Sequence, residues 1–467
     1  MFRYLRLLLS VGGARTAGML ISAATFPFLV RMVGVEGFGR WSYVLAVVGF
    51  FDLIVNPGLI SHASREVAAH RLGAGSLVAE VFSLRTILGV LGAVLLTGYA
   101  FLVESDHDTR TLVVLYGVPF LLLGAVQSGY LLSSNECFHW ASIQQLVAQT
   151  AYAAGVFALV RTAEDLYLLA LVSLASVGLS AVVGWVKLVK IGFRLGWVWT
   201  PTRFIDLLRL SIPLGAASLA SQVYTRSGHI IVRWALGETA LGLYSAVVRL
   251  AEVIYDFVGI LFSVSMPRFA RYSAQDARRR ALSANTFLIA WAISVPLAVG
   301  GSALAPELVG TILGRQYDEG AGLFRIVAFS FLTNSLAIFF CGTVLYALGK
   351  RYQYLVATAS GAVFGLIVNI TFVPRFGLIA ACLSYACSQL VVAGVAYRMG
   401  PRDLPDIWRS RLFVAPLFGS LFMAAVLYVV QGMNWAVWTL VALGSAIYVV
   451  VTVTMAHRDL ALLLHKK

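Results

Sequence analysis

The sequence predicts an all-α polytopic membrane protein of about fourteen transmembrane helices: two six-helix lobes in a parallel repeat, followed by two C-terminal helices. Three observations lead there. Of 467 residues, 60% are hydrophobic and only 12% charged, whereas a soluble globular protein carries roughly 25% charge. Apolar runs of roughly 20 residues, enough to cross about 30 Å of hydrocarbon, recur from end to end with no soluble domain between them. Finally, Gly34-Val35-Glu36-Gly37-Phe38-Gly39-Arg40-Trp41-Ser42 and Gly237-Glu238-Thr239-Ala240-Leu241-Gly242-Leu243-Tyr244-Ser245 share a Gly-x4-Gly-x-aromatic-Ser pattern, and each links one long apolar run to the next.

Taken in order, the N-terminus Met1-Phe2-Arg3-Tyr4-Leu5-Arg6 with Leu7-Leu8-Leu9 resembles a signal peptide. Arg15 interrupts the run, however, and no small-residue cleavage site follows in the usual place, so the segment reads as a retained first helix. The expected spans are 10–32, 39–60, 81–103, 111–133, 141–160 and 166–186 in the first half. The second half has 209–232, 241–264, 285–305, 322–348, 353–373 and 377–397, then 412–430 and 436–456. Aligning Gly34 with Gly237 lays spans 1–6 over spans 7–12. Because six is even, both copies enter the membrane in the same sense, a parallel repeat. The domains expected are an N-lobe at 1–188, a basic linker at 189–206, a C-lobe at 207–398 and a terminal helix pair with tail at 399–467.

The net charge of +14 raises nucleic acid as a partner, but the distribution of Lys and Arg excludes it. With both termini inside, cytoplasmic segments hold Lys and Arg over outer segments by roughly three to one, as the positive-inside rule requires. Outer loops lean acidic, as in Glu104-Ser105-Asp106-His107-Asp108. The localisation expected is the cell's inner membrane, multi-pass, with cytoplasmic N- and C-termini. Trp185, Trp197, Trp199, Trp408, Trp435 and Trp438 fall near span ends, where an indole anchors at the interface. Cys137, Cys341, Cys382 and Cys387 form no CxxC pair and read as small apolar filler.

Charges within the spans carry the functional signal, because each is costly there and normally faces protein interior or a wet cavity. Five arginines qualify: Arg15, Arg85, Arg226, Arg249 and Arg325, the second and last close enough to span ends to snorkel. Three acids accompany them, Asp52, Glu252 and Asp256. Arg249, Glu252 and Asp256 share one helix face by their spacing, expected to point inward. Glu252 is either the ion-pair partner of Arg249 or, with Asp256, a site for a coupling ion. Asp52, one turn from Asn56, either pairs with Arg15 or titrates. His229 reads as a packing residue before a proton carrier. A surplus of arginine suits an anionic substrate, since guanidinium grips phosphate oxygens through paired hydrogen bonds. The five arginines are therefore candidate substrate-binding residues, and Asp52, Glu252 and Asp256 candidate ion-coupling groups. No Walker loop, HExxH or GxSxG is present, so the chain reads as no enzyme, with no metal and no cofactor beyond a coupling H+ or Na+.

Phe26-Pro27-Phe28-Leu29-Val30-Arg31-Met32-Val33-Gly34 through Gly39 resembles the end of the first helix in bacterial polysaccharide biosynthesis and export proteins. These are the O-antigen (Wzx-type) flippases of the MATE-like (MOP) superfamily. Gly242-Leu243-Tyr244-Ser245-Ala246 through Arg249, Met266-Pro267-Arg268-Phe269 and Pro374-Arg375-Phe376-Gly377-Leu378-Ile379-Ala380-Ala381 are similar to the eighth helix, its exit and the entry to the twelfth. The resemblance implies two six-helix lobes around a cavity that opens alternately to each side. It also implies translocation of a polyprenyl-diphosphate-linked oligosaccharide for surface polysaccharide such as O-antigen, lipopolysaccharide or exopolysaccharide. Implied partners are that lipid-linked glycan, membrane lipids and the polymerase and glycosyltransferases of the same pathway. One departure stands out: many members carry an acid in span 7, where Tyr224-Thr225-Arg226-Ser227-Gly228-His229 has Gly228. The alternatives are an ion-coupled small-molecule antiporter of the same fold and, behind it, a membrane-embedded polymerase or ligase of lipid-linked sugars.

Overall fold

The computed structural model describes residues 2–69, 74–271, 277–345, 348–400, 411–431 and 435–465, and those residues are overwhelmingly helical. They form two compact units, Met1–Gln222 and Val223–Lys467. Among the described residues nine helical stretches are long and apolar enough to cross a membrane. Helices α8 and α9, which carry Arg226, Arg249, Glu252 and Asp256, are not among the nine.

In the first unit α1 (Phe2–Val55) is divided at Gly34, whose φ of 71° is open to glycine at little cost. Phe26 and Phe38 meet edge to face across this corner at 6.0 Å. Arg40 contacts Glu36 (3.4 Å) and Asp108 (3.8 Å), tying the corner to the first turn of the helix that starts at His107. The second limb stops at Asn56-Pro57-Gly58, because Pro57 offers no N–H to continue it. The Asn56 side chain accepts from the Ile60 N–H (3.0 Å) and so starts α2 (Leu59–Ala69).

Helix α3 (Ala74–Val103) leads to α4 (His107–Gly124), capped by Asp106, whose carboxylate accepts from Thr109 N at 2.8 Å. After Gly124 the helix breaks and resumes as α5 (Gly129–Ser134), followed by α6 (Phe138–Leu159) and α7 (Leu166–Lys190). The Trp185 indole N–H donates to Val126 O in the break (2.7 Å), satisfying a carbonyl the helix gives up. Trp185 is thus an internal strut, whereas Trp197 and Trp199 are exposed. The α1 limbs pack on α3, α4 and α6, and α6 packs on α7. A non-helical stretch then bonds Val198 N to Ser83 Oγ (2.9 Å) before α8 (Pro201–Leu236) begins.

In the second unit the chain turns at Gly237 (φ 88°) into α9 (Glu238–Arg271), repeating the Gly34 corner with an Arg233–Glu238 ion pair of 3.1 Å beside it. Helix α10 (Ala277–Ala303) is followed by α11 (Ala305–Leu308) and a turn to α12 (Gly320–Ala328). Helix α13 (Ser330–Ala337) continues through a π-helical stretch, Ile338–Leu345. Helix α14 (Arg351–Met399) contains Pro374 and divides at Gly377 (φ 65°), within the motif expected to enter span 12. Finally α15 (Arg411–Val430) packs on α10 and on α16 (Val437–His465). Trp291 stacks on Phe413 at 4.7 Å and donates its N–H to Phe413 O (3.1 Å), fastening the terminal pair to α10.

Candidate functional site

Arg85 lies about three turns inside α3, because that helix begins at Ala74 and not near residue 81. The extra turns carry it away from the span end and from the snorkelling position the sequence allows. It is 1% exposed, and its Nε and Nη1 have no hydrogen-bond partner among the described residues. Tyr130 of α5 and Asp52 of α1 are the groups whose charges act on it. Asp52 is half-buried, with Oδ1 close to Gly124 at the end of α4, 3.8 Å from where a Cβ there would lie. Asn56, next to Asp52 by helical spacing, is committed to capping α2. Arg15 belongs to α1, but its side chain lies outside the described residues, as do those of the basic stretch Arg268–Arg280 and Trp408.

The second unit holds the remaining charges. Arg249 Nη1 and Glu252 Oε2 are 2.9 Å apart, and the two side chains are 43% and 39% exposed. Asp256 is exposed. The buried face of α9 is made by Leu241, Tyr244, Val247, Ala251, Tyr255 and Val258, so the charged stripe opens away from the core of its own unit. Arg226 is half-buried on α8, and Arg325 is exposed on α12. His229 meets the Tyr244 ring edge to face at 5.2 Å, and its buried Nδ1 lacks a hydrogen-bond partner among the described residues. Asn369 Nδ2 donates to Ser227 Oγ at 3.5 Å. At Gly228 a Cβ would fall 2.8 Å from the Tyr244 hydroxyl. That hydroxyl lies where the departure from the family pattern falls, so a side chain at 228 would have to displace the Tyr244 ring.

Two buried polar groups escape sequence reading. Glu104, at the end of α3, is 5% exposed and accepts from the Tyr43 hydroxyl, which in turn meets Tyr99 Oη at 2.8 Å. As part of an acidic loop it reads as solvated, and only the tertiary approach of two tyrosines reveals otherwise. Gln144 of α6 donates to Ser128 Oγ (3.0 Å) at the α4–α5 break, leaving its Oε1 buried and without a partner among the described residues.

The corners and broken helices place the chain in a class, that of polytopic helical membrane proteins, and its fold recurs in solved structures. A lipid II flippase, MurJ, in an inward closed conformation shares the fold at a TM-score of 0.82 and 14% identity, covering 97% of this chain and 99% of that one. An inward-facing multidrug resistance MATE transporter of the MOP superfamily gives 0.63 at 13% identity, over 84% and 96%. A putative O-antigen transporter of Escherichia coli K12 is 20% identical over 390 residues, 80% of this chain and 91% of that one. Residues 6–273 match the family model described as polysaccharide biosynthesis protein, and the chain belongs to that family.

Proposed function

We propose that this protein translocates a polyprenyl-diphosphate-linked oligosaccharide across the cytoplasmic membrane by alternating access, as a transporter with no catalytic step. The observation that carries this is the family match over residues 6–273. Likeness of fold across 97% of the chain to a flippase for another lipid-linked sugar supports it. The reading includes fourteen crossings, cytoplasmic termini and the inner membrane, supported by the excess of Lys and Arg on one side of the expected spans.

In this reading the anionic diphosphate, or an acidic sugar, is drawn by arginines that a ligand reaches without unfolding a lobe. Arg226 and Arg249, both half-buried, meet that condition, and Arg325 is accessible as well. Arg15 joins them on its position in α1 alone. Arg85, enclosed within its unit, is not a direct contact in this conformation. Driving force comes from H+ or Na+, with Asp52, Glu252 and Asp256 as the candidate acceptors. The pathway's polymerase and glycosyltransferases act before and after it.

An ion-coupled small-molecule antiporter is the second reading, because MATE transporters share the fold at lower similarity. Reconstituted vesicles separate the two. A fluorescent polyprenyl-diphosphate glycan should become accessible to an added quencher on the second leaflet faster with protein than without it. Accumulation of a cationic dye with no movement of the lipid would favour the antiporter.

A further inference from the structure

Helix α7 ends in a way that sets the course of the chain beyond it. Gly192 takes a φ of 96°, its N–H donates to Val189 O (3.1 Å) and that of Phe193 donates to Leu188 O (3.0 Å), closing the last carbonyls in a Schellman turn. Phe193 is buried in one cluster with Leu188, Val67 of α2, Val78 of α3 and Leu131 of α5. From there to Thr200 the chain is non-helical, and side chains from Leu195 onward alternate between two faces. Inward, a Cβ on Gly196 would touch Ala79, and the Val198 N–H donates to Ser83 Oγ (2.9 Å). Phe204, at the start of α8, is buried among Leu59, Val81 and Leu84. Outward, Leu195, Trp197 and Trp199 form a ridge 46%, 57% and 65% exposed. The strap is pinned at both ends and in the middle, so the fold itself holds these indoles outside the core.

Two features say what covers the ridge. On α7 the exposed Val182, Val186 and Val189 recur every three or four residues along one face of an apolar span, a lipid-facing stripe, and the ridge follows it directly in the chain. Charge is the second feature. Lys190, Arg194 and Arg203 are exposed along the strap, and residues 166–205 contain no Asp or Glu. Glu80 of α3 reaches Arg203 only at 3.9 Å and leaves that side chain 68% exposed. An indole favours the headgroup level of a bilayer, where its ring is buried and its N–H wet. A Lys or Arg beside an anionic membrane surface strengthens binding about fivefold.

We propose that the strap from Lys190 to Arg203 is a docking surface for anionic phospholipid headgroups of the surrounding bilayer. Trp197 and Trp199 sit at headgroup depth, and Lys190, Arg194 and Arg203 take the phosphates. The strap is the covalent link from α7 to α8, so headgroup occupancy holds the start of α8 at the membrane surface. This goes beyond the proposed transport function and requires only that α7 cross the membrane.

The test reconstitutes the purified full chain in phosphatidylcholine bilayers carrying an equal small fraction of brominated phosphatidylglycerol or brominated phosphatidylcholine, and reads contact quenching of tryptophan emission. In the wild type the anionic lipid should quench with at least about a threefold stronger apparent association than the zwitterionic one, and high salt should erase the difference. Trp197→Phe/Trp199→Phe should remove most of that difference, because the quenched indoles are gone. Lys190→Gln/Arg194→Gln/Arg203→Gln, with both indoles kept, should bring the two lipids to parity. Should the triple variant not fold, Arg194→Gln alone should still lower the preference, and Arg194→Lys should retain it. Equal quenching by the two lipids in the wild type, or a preference that survives the loss of all three charges, overturns the proposal. So does quenching by both lipids that is unchanged in Trp197→Phe/Trp199→Phe, which would set the ridge off the bilayer and against a protein partner instead. The readout needs no glycan substrate, so any of these failures leaves the transport function standing.

Discussion

Gly215 of α8 packs against Pro57 so closely that a Cβ would stand 2.5 Å from the proline carbonyl. The contact is backbone, and neither partner has a flexible side chain to yield. It sits where α1 gives way to α2, so the first part of α8 is seated on a helix break that proline creates.

Gly215→Ala should therefore cost about 1–3 kcal/mol, the range for overpacking a filled site. The measurement is loss of the monodisperse peak on heating in detergent, and a melting curve equal to wild type would show that the seat has slack.

The twin corners at Gly34 and Gly237 use φ values of 71° and 88°, and an L side chain in the left-handed region costs roughly 1–2 kcal/mol. Gly34→Ala and Gly237→Ala should each lower thermal stability by a similar step. A large effect at one and none at the other would contradict their equivalence.

Gly228 and Tyr244 should behave as one unit. Gly228→Ala forces the ring back, with an overpacking penalty of about 1–3 kcal/mol, and Tyr244→Phe removes the oxygen that would lie 2.8 Å from the new methyl. The double variant should recover much of the loss, giving a coupling energy of about 0.5–3 kcal/mol. Additive losses would mean the two positions relax independently.

Asp106 caps α4, and its bonds to Thr109 hold the carboxyl below the usual carboxylate range. A depressed folded-state value gives stability that is present above the unfolded value near 3.9 and is lost as pH falls through the folded one. Asp106→Asn keeps a capping oxygen, so it should match wild type near neutral pH and lose less stability on acidification. Asp106→Ala should cost about 1 kcal/mol at neutral pH. Both follow from thermal melts at two pH values.

Much of this architecture is written in local chemistry. The Gly34 and Gly237 corners were visible because a sharp turn between two apolar runs calls for glycine, and Arg249 with Glu252 because spacing alone puts them on one face. Arg85 reads as lying within a span but near its end, and neither its depth nor its enclosure is local information. Helix α3 is apolar on every side, so its sequence does not reveal which face is covered, and its start at Ala74 lies beyond the apolar run that marked the span. The break after Gly124 was hidden for the same reason, since Ala125 and Val126 continue the apolar run across it. The Glu104 and Tyr43 pair joins residues 61 positions apart, which no local pattern encodes.

Arg249 and Glu252 separate stability from transport. Their exposure and spacing make the pair worth about 0.3–0.5 kcal/mol, so Arg249→Gln should barely move the melting curve while reducing export of an anionic lipid-linked glycan several-fold. Unchanged export at normal expression would remove Arg249 from the substrate path.

The central claim is met most directly in a strain lacking this gene, by quantifying surface glycan and polyprenyl-diphosphate-linked intermediate together. Loss of surface glycan with accumulation of the lipid-linked oligosaccharide, both reversed by the intact gene, is the predicted result. Normal surface glycan with no accumulated intermediate would contradict it.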